Sequence, residues 1–521
     1  MTRQLILLAL ACLAGSAAEP AILFVDTEAG PTTGGPDDLG VPIGIFGTGF
    51  GARRGDSVVT IGGVEVAAYR VWGERNAENP LLDMIVVQPG AGVTGGAIVV
   101  KTANGESGSE AAFTVAPGRI HYVAPSGSTT GACTETDPCN SISRAIEPAV
   151  SQPGDTILVR GGELTESEIW IRREYGHGGT PAARKAIRNY PGEDVYLTNG
   201  ARPFIVDADY VTISGFRFRN GKTIGIPDTG DAGRRRGGRF INNSLTGPIS
   251  WGFIDTHGDD HVLAGNSCEA TTSPVGTQGH CYYVSYGNNL RIIYNVGSGA
   301  PGYGLHVFDQ QRSTNDFRRE IRHVLIEGNL FKNSRLRSGL IIAMNDEGGR
   351  GNLIEDIVVR NNIFTANSHI GLVVSGLVRN VRIYHNTFFE NGRQGINIAE
   401  AAREIDIRAN LFVQTENTNC LNDCSWYRTA HVEARAATNL RANGYFPGEP
   451  AALGGVSDSA SVSGGNLRFA GPSTFNFDLE PGSEAIDRAE PIEEVNLDWR
   501  GRRRPQGPAP DLGAFEASKE P

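Results

Sequence analysis

Asparagine returns at one phase of the chain from Asn243 onward, and this constrains the fold more than any other feature. The runs Phe240-Ile-Asn-Asn243, Leu263-Ala-Gly-Asn266, Ile292-Ile-Tyr-Asn295, Ile326-Glu-Gly-Asn329, Val359-Arg-Asn-Asn362, Ile383-Tyr-His-Asn386 and Ile407-Arg-Ala-Asn410 each alternate apolar residues and end in asparagine. The asparagines recur every ~23 to ~34 residues, a spacing typical of solenoid repeats. Between them lies a second recurrent run: Gly252-Phe-Ile, Cys281-Tyr-Tyr-Val, Gly304-Leu-His-Val, Gly339-Leu-Ile-Ile, Gly371-Leu-Val-Val and Gly395-Ile-Asn-Ile. Two short strands per repeat, parted by Gly/Asn turns, cannot bury their apolar face alone. Stacking the coils solves this and gives a parallel β-helix. An asparagine at each corner is expected to join an internal amide ladder and to take the left-handed conformation of a tight turn. A sandwich with Asn-rich turns would not repeat asparagine at one phase.

The 521 residues exceed one ordinary compact domain, so further units are expected. A formal net charge of −11 argues against a nucleic-acid partner. Arg3, the apolar stretch Leu5 to Ala14 and Ser16-Ala17-Ala18 read as an export signal over 1–18, cleaved before Glu19. The competing reading is a lipoprotein box ending at Cys12. A secreted or periplasmic protein is therefore expected. No later apolar run is long enough to cross a membrane, and nothing specifies an oligomeric state. Removal of the signal leaves an even set of cysteines, as expected in an oxidising compartment. Short loops favour the pairs Cys133–Cys139, Cys268–Cys281 and Cys420–Cys424.

Residues 19–117 form a first unit, built of Val41 to Gly51, Ser57 to Val66, Gly96 to Gly105 and Ala112 to Val115. These alternating strands with Gly turns spell a small β-sandwich. The segment resembles the IPT/TIG immunoglobulin-like family, whose pattern is a G-T-G-F-G turn, a V-x-I-G-G hairpin and a terminal F-T-V strand. Such modules act as spacers or weak carbohydrate or protein contacts. Next, Ile142, Ala145, Ile146 and Val150 share one helical face, suited to covering the open end of a solenoid. The Ile120-His-Tyr-Val strand, this helix and Pro153-Gly-Asp-Thr-Ile-Leu-Val resemble the entry of secreted pectate-lyase-like right-handed β-helix proteins. That resemblance covers 118–417 and implies a right-handed coil. Residues 418–521 are read as a C-terminal cap. Within them, Asn496 to Pro505 and Pro510 to Glu516 resemble the closing segment of bacterial β-helix proteins, which gives Arg500 to Arg504 a structural role.

Fold alone assigns no chemistry. Strand alternation is expected to turn one row outward: Ile254, Tyr283, His306, Ile341, Val373 and Asn397. A second row carries Thr256, Ser285 and Phe308, with His257, Tyr286 and Asp309 just beyond. Asp255, His257, Tyr283, Tyr286, Tyr303, His306 and Asp309 thus gather on neighbouring coils, while later coils carry Ile341, Ala343 and Val373. Taken singly, each of these is an ordinary solvated residue. Grouped, they outline a groove.

A His beside a Tyr suits β-elimination, in which one group takes the C5 proton of a uronate and the other protonates the leaving oxygen. His306 is the expected base and Tyr283 the acid, with Asp255 and His257 in the same catalytic set. His280, Tyr286, Tyr303, Asp309 and Arg312 are expected to bind substrate. Asp259 and Asp260, with Asp255, are candidate Ca²⁺ oxygens. A hydrolase would instead need paired carboxylates, here Asp255 and Asp309. Gly258-Asp-Asp260 and Gly279-His280 resemble elements of polygalacturonase-like hydrolases, without that family's N-T-D and R-I-K elements. Gly252-Phe-Ile-Asp255-Thr-His257 resembles the Y-G-F-D-P-H stretch of mannuronan C5-epimerases, with one residue inserted, Trp251 in place of Tyr, and no Pro. The expected function is cleavage of an acidic polysaccharide by β-elimination. A hydrolase, an epimerase and a non-catalytic glycan-binding surface protein are the alternatives.

Overall fold

In a computed structural model the described residues are 19–76, 79–166, 168–198, 202–219, 221, 224–228, 233–309, 320–344, 352–413, 431–434, 438–448 and 456–518. The signal segment with Cys12, Arg312, Cys420 and Cys424 lie outside them. The chain is all-β: two small N-terminal sheets precede a right-handed parallel β-helix. No helix of the described residues is long and apolar enough to cross a membrane.

Each coil of the solenoid contributes to three faces, termed sheets I, II and III in chain order. One coil runs Arg239–Ile241 in sheet I, Ser244–Gly247 in sheet II and Gly252–Asp259 in sheet III. Sheets III and I join around a corner into one 22-stranded assembly, because strands such as His280–Ile293 continue from one face into the other. Sheet II has 12 strands. Its strands continue past the expected end at 417, through Gly444–Phe446 to Val462–Ser463.

The corner between sheets I and II holds the amide ladder. The backbone N–H and Nδ2 of Asn295 both donate to Asn329 Oδ1, at 2.9 and 3.0 Å. Asn329 Nδ2 in turn donates to Ile292 O and Asn362 Oδ1, at 2.8 and 2.9 Å. The same pattern runs from Asn243 through Asn410, continues to Asn443 and ends on Asp458. One expectation is corrected. The left-handed residue is the one before each ladder asparagine, for example Tyr294, Asn361, His385 and Ala409. The ladder asparagines need their amides aligned along the axis, and the preceding residue makes the turn.

The interior of sheet II is an aromatic column. Phe331, Phe364, Phe388, Phe412 and Tyr445 follow one another with ring centroids 4.9 to 5.7 Å apart. This column explains the glycines that open the sheet III runs from Gly304 onward. A Cβ at Gly371 would lie 2.7 Å from the Phe388 ring and one at Gly395 would lie 2.6 Å from Phe412. On these coils the chain therefore enters sheet III close against the rings, and Gly304 on Phe331 fixes the start of the strand that carries His306.

The N-terminal end is covered by a short helix, Ile142–Ala145, whose Ile142, Ala145 and Ile146 are buried. The N-terminal sandwich packs its own core around Ile45, Val59, Ile85 and Val100, and docks on the outer side of the ladder corner. A buried Arg188–Asp26 pair at 3.1 Å and stacked Phe24, Phe46 and Tyr294 rings form the junction. The C-terminal segment lies along the same corner: Trp499 Nε1 donates to Gly328 O at 2.7 Å. Its arginines serve structure. Arg500 and Arg502 pair with Asp478, and Arg504 pairs with Glu516, both fully buried.

Asn329→Ala removes both acceptances by Oδ1 and leaves the Asn295 N–H and the Ile292 carbonyl buried without partners. It should cost about 3 kcal/mol in urea unfolding. A loss below about 1 kcal/mol would show that the ladder contributes little.

Candidate functional site

Register decides which side chains meet on sheet III. Asp255 pairs with Tyr283, Tyr283 with His306, His306 with Ile341, Ile341 with Val373, Val373 with Asn397, and Asn397 with Glu433. The expected outward row is thus corrected at its first member. Ile254 pairs with Tyr282 and is wholly buried, and Asp255 takes its place. Thr256 likewise points inward, in register with Val284 and Val307, and a bulge after it brings His257 opposite Tyr286.

His306 stands at the centre of a ring cluster. Its imidazole stacks on Tyr283 at 4.9 Å, on Tyr303 at 5.0 Å and on Phe308 at 4.9 Å, and tilts against His280 at 4.3 Å. Tyr283 and His306 face outward, yet they are only 8% and 9% exposed. The expectation of solvated rings is corrected: neighbouring rings shield them. His280 Nδ1 accepts the Tyr303 backbone N–H at 3.1 Å, so its proton resides on Nε2. His306 Nδ1 is buried without a hydrogen-bond partner among the described residues. Burial drives both imidazoles toward the neutral form, His280 to about 3 and His306 well below 6.5. Burial also raises the Tyr303 phenol. The Cys268–Cys281 disulfide ties sheet II to the strand carrying His280 and Tyr283, and Cys133–Cys139 closes as expected.

Arg337 is the residue that the sequence reading missed. It is exposed in the turn entering Leu340–Met344, and its charge acts on His280, Tyr303, His306 and His369. Among the described residues it has no ion pair or hydrogen bond. The signal that could have found it is its place three residues before the strand, the same offset as His369 before Leu372–Ser375 and Arg393 before Ile396–Ile398.

The remaining expected residues separate from this cluster. His257 lies 3.8 Å from Asp255, donates from Nδ1 to Ile226 O (2.6 Å) and packs on Tyr286, which Arg234 covers. Asp259 pairs with Arg234 at 3.1 Å and accepts from Asn288 N, and Asp260 accepts from Asn289. Asp259 and Asp260 thus hold a turn and an ion pair, and among the described residues no group of three His, Cys, Asp or Glu gathers at one point. Asp309 is also corrected. It is three positions past His306, turns inward, is buried and accepts from Asn352. With coils ~4.8 Å apart and ~3.3 Å per residue, the Asp255 and Asp309 backbones lie roughly 14 Å apart. They also face opposite sides of the sheet and cannot flank one glycosidic bond.

A family model described as a right handed beta helix region matches residues 319–412. No curated protein matches the chain in sequence. Solved structures similar to it include the pectate lyase Pel9A, at 13% identity and a TM-score of 0.39, covering 77% of this chain and 96% of that one. A glycoside hydrolase is 8% identical with a TM-score of 0.39, covering 66% and 95%. The A-module of the mannuronan C-5 epimerase AlgE4 from Azotobacter vinelandii is 14% identical with a TM-score of 0.35, covering 59% and 81%.

Proposed function

We propose that this is an exported enzyme that cleaves a uronate-containing polysaccharide by β-elimination on sheet III. The observation that carries the reading is the stack of Tyr283 on His306, on adjacent coils of the outward row, with Arg337, unpaired among the described residues, on the next coil at the level of Gly302 and its charge reaching His306. In this reaction His306 takes the C5 proton, the C4–O bond breaks as the C4–C5 double bond forms, and Tyr283 protonates the departing oxygen. Arg337 pairs with the uronate carboxylate, whose charge would otherwise oppose loss of the C5 proton. It takes the role expected of Arg312. His280 and Tyr303 hold the His306 ring in place, and Asp255, next to Tyr283 in the outward row, orients the sugar. The hydrolase alternative has lost its carboxylate pair. Epimerisation shares the first proton abstraction and differs in which group returns a proton to C5.

The N-terminal sandwich is read as an IPT/TIG spacer that holds the solenoid at a distance from its point of attachment. A protein so built works outside the cytoplasm, where its disulfides persist.

Incubation with uronate polymers should give an unsaturated product, read by its ultraviolet absorbance. Activity should survive EDTA, because Arg337 supplies the positive charge in this scheme; a Ca²⁺ requirement would contradict that role. His306→Ala and Tyr283→Phe should each lower kcat about 10²-fold or more. New reducing ends without absorbance would replace elimination by hydrolysis, and inverted C5 without chain cleavage would replace it by epimerisation.

The pH profile follows from the cluster. The imidazole is a base only when neutral, and burial keeps His306 neutral as pH falls through 6.5. The acid limb of kcat/KM should therefore lie well below pH 6.5. A limb centred near 6.5 would mean that His306 titrates like a solvated histidine.

A further inference from the structure

Among the described residues, every large apolar side chain of the solenoid coils that remains exposed lies on sheet III or at its edges: Trp170, Tyr175, Trp251, Leu336 and Leu377. Trp251 lies one coil from the strand that bears His280 and Tyr283. It is 40% exposed and adopts a left-handed backbone with φ 66°, which is costly for a bulky residue. Its carbonyl accepts the His280 N–H at 2.9 Å, so the strand that bears His280 and Tyr283 holds it in place.

Gly252 pairs with His280, so Trp251 aligns with Gly279 on the next coil, and the same offset leads to Gly302 and then to Arg337. The rim of sheet III thus has an indole at one end, a guanidinium at the other and two glycines between. A Cβ at Gly302 would lie 2.3 Å from His280 Nδ1, so the turn backbone rests directly on the cluster and the rim stays low there. Three coil steps set Trp251 and Arg337 roughly 14 Å apart.

We infer that Trp251 is a stacking platform for a pyranose ring of the bound glycan, on the side of the reaction centre away from Arg337. A pyranose has a C–H face that covers an indole and hydroxyl edges that stay in water, which suits a half-exposed ring at a groove rim. A left-handed tryptophan next to a glycine presents its ring outward at a cost to stability, as expected of a residue kept for binding. The inference rests on reading sheet III as the glycan face. It adds which sugar is gripped by contact with an aromatic ring and which by charge.

The test uses the full-length His306→Ala variant, so that binding is read without turnover. Calorimetric affinity for polygalacturonate and polymannuronate is measured alongside tryptophan fluorescence. Adding Trp251→Ala should weaken binding roughly tenfold and remove most of the glycan-induced fluorescence change, and Trp251→Phe should restore most of the affinity. Trp251→Gly should lose binding equally while its melting temperature holds or rises, because glycine removes the backbone strain. That variant keeps the test open should Trp251→Ala fold poorly. Unchanged affinity in the Trp251 variants, with Arg337→Ala still weakening binding, would overturn the platform and leave the sheet III reading standing. No binding of any uronate polymer would overturn both. Loss of self-association in place of glycan binding would make Trp251 a protein contact and overturn the inference.

Discussion

The asparagine ladder is the constraint from which the rest follows. Each amide accepts from the coil before and donates to the coil after, so every ladder corner must sit directly over the next. A slip of one residue would leave buried amides and backbone groups unpaired at several levels at once. With this corner fixed, the Phe331 to Tyr445 column fixes sheet II, and the glycines packed on it, Gly304 to Gly395, fix where the sheet III strands from His306 onward begin. The meeting of Tyr283 and His306 is thus a consequence of register imposed on the far side of the coil.

The two accessory units reinforce that corner and leave sheet III to other uses. The sandwich docks through Asp26, Phe24 and Phe46, and the C-terminal segment through Trp499 and the buried Arg504–Glu516 pair. A buried ion pair adds little net stability over an apolar contact, but removing one partner is costly, so such pairs specify the docking geometry. Their ligands are spent on structure. Three arginines of the C-terminal run, Arg500, Arg502 and Arg504, which by composition alone look like an anion site, are instead paired with Asp478, Asp498 and Glu516.

How much was legible follows from what each feature requires. The ladder could be read because only asparagine both accepts and donates in that position, and the strands could be read from alternation. The ladder's continuation to Asn443 was missed although Leu440-Arg-Ala-Asn443 repeats the run 33 residues after Asn410, because the second, glycine-opened run does not recur between them. The site was legible where a strand runs straight: Tyr283 and His306 were placed in one row from alternation alone, and the structure sets them in register. It failed where turns and bulges intervene. One residue of offset put Ile254 where Asp255 stands, and counting three positions past His306 put the inward-facing Asp309 on the outer face. Arg337 escaped because its signal, a position three residues before the strand, shows only when successive coils are compared. The burial of the rings was equally unreadable, since His306 is shielded by rings from its own stretch and from the coil before it.

The electrostatics of the cluster fit a proton abstraction assisted from outside. Desolvation keeps His306 and His280 neutral, which makes an available but intrinsically weak base. Such a base needs its substrate made more acidic, and a cation at the carboxylate does that. The most direct measurement is a crystal structure of the His306→Ala chain with a uronate oligosaccharide. A uronate ring over Tyr283 with its carboxylate on Arg337 is the predicted result. A glycan seated on another face, or one crossing sheet III without touching this pair, would contradict the account.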